Sequence, residues 1–218
     1  MNILQIIPQL GSGGAEKFCV ELSNALVKKN RLTLIVLHDL KIRENQFFLD
    51  NVSNNISVIN LNKKMGFDLF IIFKLFRYIY LLKPDVINTH LNCLAYTFFP
   101  ALFFRKKIYH TVHNIAHKEQ DNTFLRKIYY FIFKSKLATP VAISEEVKKS
   151  IFEEYNLSYV PIIENGVLPL NNTPEFKTVQ KKVRSLKFNK NTKVFLTIAR
   201  FTEQKNLSLL ISVINKKV

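Results

Sequence analysis

Three of the five glycines in this chain fall within four positions: Gly11, Gly13 and Gly14. They lie between a short apolar segment, Met1–Ile7, and a segment of helical apolar spacing. Glycine at such a junction lets backbone amides approach a ligand closely, and the partial positive charge of a helix N-terminus favours an anion there. It is the place where an open parallel sheet binds phosphates. A tight turn without a ligand would need only one glycine. The dinucleotide fingerprint would need glycine where Glu16 stands, and a P-loop would need Ser or Thr after Lys17, where Phe18 stands. Two histidines, His90 and His113, follow short apolar segments further on, as site residues or as local hydrogen-bonding groups. His110, His113 and His117 could form a zinc set by count alone. On a strand, however, His110 and His113 point to opposite faces, and no fourth ligand is evident. No metal and no cofactor are expected.

The elements that would position these residues alternate. Met1–Ile7 reads as a strand, and Ala15–Lys29 as a helix with Phe18, Leu22, Ala25 and Leu26 on one face. Leu32–Leu37 is a nearly continuous apolar run, as in a strand buried on both sides. Ile56–Leu61 is a third strand, and Phe67–Leu82 a helix that Pro84 ends. Strands at Asp85–Thr89, Lys107–Val112, Thr139–Ile143 and Tyr159–Ile163 alternate with helices at Leu91–Phe104, Thr123–Lys136 and Glu145–Tyr155. The alternation predicts an α/β fold, a Rossmann-like parallel sheet with helices on both faces. Asn165–Pro174 (NGVLPLNNTP) reads as a linker. A basic helix near Phe176–Leu186, a strand Val194–Ile198 and a helix from Asn206 follow, too few elements to bury a sheet by themselves.

Composition narrows the class. The chain has 218 residues, 48% of them hydrophobic, and a net charge of +16. A basic balance of that size suits phosphate-bearing partners. Eleven basic and two acidic residues from Leu168 to Val218 account for +9 of it. No apolar run is long enough for a transmembrane helix, and MNILQIIPQL reads as a core strand, not a signal peptide. Cys19 and Cys93 sit in apolar helical surroundings and read as buried free thiols, which fits a reducing cytoplasm.

Taken in order, the motifs resemble those of family-4 (group 1) retaining glycosyltransferases with the two-Rossmann-domain, B-type fold. Gly13-Gly14-Ala15-Glu16 match the family's GGAE loop, THLN around His90 and TVHN around His113 match its histidine segments, and AISEEVKKSI around Ser144 its Ser-x-x-hydrophobic segment. IIENGV around Asn165 is similar to the domain-crossing Asn-Gly-Val, and IARFTEQKNLSLLI to the opening of the donor-binding domain. The resemblance implies an acceptor-binding domain over 1–164, a linker over 165–175 and an incomplete start of the donor-binding domain over 176–218. It implies transfer of a sugar from a nucleotide-sugar donor to a glycan or lipid-linked acceptor with retention, in cell-surface polysaccharide biosynthesis. His113, Arg200 and Lys205 would be catalytic. Gly13, Gly14, Arg200 and Lys205 would hold the donor phosphates, and Glu16, His90 and Asn165 would border the acceptor. A guanidinium and an ammonium suit a leaving diphosphate. The pattern departs from the family at Ala199 and Leu168, where glycine and aspartate are usual. The family's Glu-x7-Glu region is absent, so a truncated chain is expected.

The Thr123–Lys136 helix carries a second expectation. Phe124, Leu125, Ile128, Phe131 and Ile132 read as its core side, and Arg126, Lys127, Tyr129, Tyr130, Phe133 and Lys134 as the other. Basic residues among aromatics suit an anionic membrane surface, so Arg126, Lys127, Tyr130 and Lys134 are membrane-facing candidates on a cytoplasmic protein peripheral to the inner face. In the Phe67–Lys83 helix, with Lys74 and Arg77, packing is the preferred reading. The alternative for the whole chain is a non-catalytic basic module that binds an anionic membrane or nucleic acid. It explains the charge but not the glycines, and nucleic-acid motifs are missing.

Overall fold

The computed structural model describes residues 1–119, 122–166, 173–199 and 201–215. The chain divides into two compact units, Met1–Val167 and Leu168–Val218.

The first unit is a six-stranded parallel sheet in the order β3-β2-β1-β4-β5-β6. The strands are β1 (Asn2–Ile7), β2 (Arg31–His38), β3 (Ser57–Lys63), β4 (Val86–His90), β5 (Lys107–Val112) and β6 (Thr139–Ala142). The strand order reverses between β1 and β4, which opens a crevice at their C-terminal ends. Helix α1 (Gly14–Leu26) covers one face, its Cys19 and Val20 packed with Ile3, Ile7, Leu34 and Val36. The other face carries α2 (Leu69–Leu82), α3 (Leu94–Phe103), α5 (Thr123–Lys134) and α6 (Glu145–Tyr155) over Leu4, Ile6, Ile35 and Ile87. A single turn, α4 (Ala116–Glu119), lies between β5 and α5. The expected Rossmann-like sheet with helices on both faces is therefore present.

Local chemistry sets the helix limits. Asp68 Oδ1 accepts from Phe70 N at 2.9 Å to start α2, and Lys83, in the left-handed region at φ 46°, ends it before Pro84. Asn122 caps α5 by accepting from Phe124 N and Leu125 N. Ser144 Oγ accepts from Val147 N to start α6, with Glu145 and Glu146 in the first turn where the helix dipole favours them. Both cysteines are buried free thiols.

Two predicted strands do not form. Tyr159–Ile163 contributes only one bridge, Ala142 to Ile162, because Pro161 has no N–H to extend the ladder. Val194–Ile198 is coil with Phe195, Leu196 and Ile198 exposed, since among the described residues no neighbouring strand offers it hydrogen bonds. In the second unit, α7 (Phe176–Ser185) has no buried residue, and α8 (Leu207–Asn215) follows a short turn, Glu203–Lys205.

The α5 face is also corrected. Tyr129, Ile132 and Phe133 are buried, whereas Phe124 is 70% and Phe131 60% exposed. The ring of Tyr129 lies 5.4 Å from His110, and Phe133 lies 5.1 Å from Tyr155. The core therefore selects the face that reaches β5 and α6, and the exposed strip becomes Phe124, Lys127, Tyr130, Phe131 and Lys134. Arg126 is half-buried and pairs with Glu154 at 3.4 Å. Lys134 donates to Asn156 O at 2.7 Å.

Candidate active site

Register places the site. Gln5 on β1 stands opposite Asn88 on β4, and His90 opposite Thr111 on β5. Because side chains alternate along a strand, Gln5, Asn88, His90 and Thr111 all point to the α1 side. His113, one residue past β5, joins the same row: its Nε2 lies 2.8 Å from His90 Nδ1. Two histidines read separately from the sequence are thus one pair. The ring of Phe18 on α1 meets both edge-on, 6.2 Å from His90 and 5.4 Å from His113. Burial holds both imidazoles neutral. It pushes His90 well below its usual value, with His113 and His110 adding repulsion, and pushes His113 down to about 4.

The glycine loop lies at the end of β1. Gly13 is the N-cap of α1 with no side-chain cap, and the carboxylate of Glu16 occupies the space that a Cβ on Gly13 would take. Glu16 is buried and turned toward this loop, with Gln9 Nε2 at 3.5 Å from its Oε1. A Cβ on Gly11 would lie 3.0 Å from the Glu44 carbonyl oxygen. A Cβ on Gly14 would meet no atom within 4 Å among the described residues beyond its own turn of chain, so packing does not require glycine there.

Glu119 has no sequence signature, yet it shapes the site. Its Oε2 accepts from the backbone N–H of His113 at 3.1 Å and of Asn114 at 2.9 Å, which pins the loop carrying the histidine. Burial pushes its carboxyl up to about 7, against the lowering effect of those two hydrogen bonds. Its Oε1 sits 4.0 Å from His110 Nε2. Burial pushes His110 down to about 3, so that ring is uncharged and the contact is not an ion pair. His110 instead packs on Tyr129 and Phe133, with Nδ1 2.9 Å from Thr89 Oγ1.

Glu119 also lines a cavity of about 460 Å³ with Pro8, Gln9, His38 and Asn92, at the C-terminal ends of β1, β2 and β4. A larger cavity of about 580 Å³, lined by Lys134, Lys136, Thr139, Ser158 and Tyr159, carries no histidine or carboxylate. Among the described residues, no group of three or more His, Cys, Asp or Glu is placed to hold a metal ion.

Other candidates stand apart. Asn165 is exposed coil, and among the described residues no hydrogen bond joins it to the histidines. Lys205 is exposed at the end of its turn in the second unit. Arg200 lies outside the described residues.

Known proteins repeat this architecture. A glycosyltransferase structure from Rickettsia africae superposes with a TM-score of 0.70 at 24% identity, covering 98% of this chain and 56% of that one. Anabaena Alr3699/HepE, in complex with UDP and glucose, gives 0.72 at 15% identity, covering 99% and 58%. Arabidopsis thaliana UGT89C1, complexed with UDP, gives 0.56 at 14% identity, covering 96% and 62%. The chain thus spans less than two thirds of the length of each. No curated protein matches the sequence. The model of Glycosyltransferase Family 4 matches residues 12–169. That match takes in part of the glycine loop, the histidine pair, Glu119 and the helix that Ser144 caps, and on it the chain belongs to Glycosyltransferase Family 4.

Proposed function

We propose that this protein transfers a sugar from a nucleotide-sugar donor to a glycan or lipid-linked acceptor, with retained anomeric configuration, in cell-surface polysaccharide biosynthesis. The observation that carries the reading is the neutral His90–His113 pair and the nearby glycine loop, on strands flanking the switch point of a family-4 sheet. The UDP and glucose bound to HepE support a nucleotide-sugar donor. Gly14, which packing does not require, leaves room for a phosphate against the α1 N-terminus.

In this mechanism no side-chain nucleophile acts. The donor phosphate assists deprotonation of the acceptor on the face from which the diphosphate leaves, and Arg200 and Lys205 neutralise the leaving charge. The test is an assay of transfer from a panel of UDP-, GDP- and TDP-sugars to glycan and lipid-linked acceptors. Lys205→Ala is expected to lower kcat by roughly 100-fold or more, the scale of losing one charge-stabilising donor. Unchanged turnover removes Lys205 from the site. Salt-sensitive binding to duplex DNA, with no response to any nucleotide sugar, overturns the enzyme reading.

The same reading places the protein at the cytoplasmic face of an anionic membrane. The exposed α5 strip supports this, and so do α2 and α3, where Phe70, Phe73 and Phe103 are exposed. No helix among the described residues is long and apolar enough to cross a membrane. Flotation with phosphatidylglycerol vesicles is expected to carry the chain. Phe124→Ser with Phe131→Ser is expected to weaken that binding several-fold while leaving the circular dichroism spectrum unchanged. Equal flotation with neutral phosphatidylcholine vesicles rules the electrostatic part out.

A further inference from the structure

The row of polar side chains under α1 is costly to bury, and it is arranged with the oxygen of Gln5 turned into the row and the buried Gln5 Nε2 left without a partner among the described residues. Thr111 Oγ1 donates to Asn88 Oδ1 at 3.2 Å, and Asn88 turns its nitrogen toward Gln5. Asn88 Nδ2 donates to Gln5 Oε1 at 3.0 Å, so Gln5 presents its oxygen. His90 Nε2 lies 2.9 Å from that same oxygen. An oxygen can only accept, so His90 carries its hydrogen on Nε2. The 3.3 Å approach of Asn88 Nδ2 to His90 Nε2 is then two donors converging on one acceptor, not a bond between them. A neutral His90 with hydrogen on Nε2 has a bare Nδ1. The partner 2.8 Å away, His113 Nε2, must therefore be the donor. The hydrogen of neutral His113 is spent inward, and its Nδ1 is left as a lone pair.

We propose that Gln5 and His90 are positioning residues that lock His113 in its Nε2–H tautomer, so that Nδ1 faces substrate as a hydrogen-bond acceptor for a sugar hydroxyl and not as a donor to phosphate. The inference rests on the reading of His113 as a substrate-contacting residue. Its physical content is a choice of ligand chemistry. A bare imidazole nitrogen attracts an O–H and repels the lone pairs of a phosphate oxygen. Two further contacts hold the arrangement. Glu119 fixes the backbone of His113 through its N–H, and the Phe18 edge fixes the tilt of both rings.

The test reads the tautomers directly, by long-range 1H–15N correlation of the imidazole rings in the 15N-labelled chain at pH 7. Both His90 and His113 are expected to show the Nε2–H pattern. Gln5→Leu removes the acceptor at the root of the row and is expected to turn His113 into a mixture of tautomers. Gln5→Glu keeps an oxygen there and is expected to retain the tautomer of His113 while raising the pH at which His90 protonates. It also serves if Gln5→Leu does not fold. An Nδ1–H signal for His113 in the native chain, or a His113 pattern indifferent to Gln5→Leu in a folded protein, overturns the proposal. Neither result depends on turnover. A correct tautomer with no transfer from any nucleotide sugar would defeat the functional reading and leave the relay standing; the converse would separate them the other way.

Discussion

Lowering the pH from 7 to 4.5 is expected to strip several kcal/mol from the stability of the sheet unit. His110 and His113 have folded values of about 3 and about 4, both below the ordinary 6.5, and His90 is shifted in the same direction. The unfolded chain takes up protons that the folded one refuses. Stability is therefore fully present above pH 6.5 and falls as the pH drops toward the folded values. At about 1.4 kcal/mol per unit, His110 and His113 together cost about 5 kcal/mol at pH 4.5, and His90 adds to that. Glu119 works the other way. Its folded value of about 7 exceeds the ordinary 4.5, so its contribution is complete below pH 4.5 and is lost as the pH rises through 7. It returns about 3 kcal/mol over the same interval. Urea midpoints measured from pH 8 to pH 4 check the balance, with a net fall of a few kcal/mol on the acid side. Glu119→Gln separates the two effects. The amide oxygen still accepts from the two backbone N–H groups but carries no charge. The variant should gain about 3 kcal/mol over the native chain at pH 8 and match it near pH 4.5. A Glu119→Gln midpoint that stays flat between pH 7 and 4.5 would show that these histidines are not held neutral.

Tyr129→Ala and Phe133→Ala are expected to cost about 3–5 kcal/mol each, the usual loss for emptying a buried aromatic site. Each is 2% exposed or less, and the pair closes the α5 side of the sheet over His110. Phe124→Ala and Phe131→Ala on the same helix should stay within about 0.5 kcal/mol, because both rings already face water. Chemical denaturation of the four variants ranks them. If Phe131→Ala proves as damaging as Phe133→Ala, the orientation of α5 is wrong.

That helix shows where sequence reading stops. Aromatic residues stand on both of its faces, so apolar spacing alone does not choose between Phe131 and Phe133. The choice is made by Tyr155 and His110, which the sequence places far away. Elements bounded by punctuation were legible. Lys107–Val112 and Glu145–Tyr155 form as read, and the alternation of strands and helices announced the parallel sheet, though not the strand order that sets its switch point. Val194–Ile198 has the composition of a strand but, among the described residues, no neighbour to pair with, and composition cannot supply one. The candidate site was half visible. His90 and His113 were found by their places after strands, but their contact depends on β4 and β5 lying side by side. Glu119 sits in a polar turn, where a lone acid looks like any solvated charge. Its importance comes only from folding back beneath two amides of the chain before it.

The two prolines beside the last strand have a bearing on assembly. Pro140 lies within β6, and Pro161 lies in the segment that touches β6 through a single bridge. Neither can donate a backbone hydrogen bond. Each proline takes one donor from this margin, and a sheet margin with fewer donors is a poorer template for an incoming chain. A Pro161→Val variant, with its donor restored, is expected to associate more readily through this border, as light scattering would show.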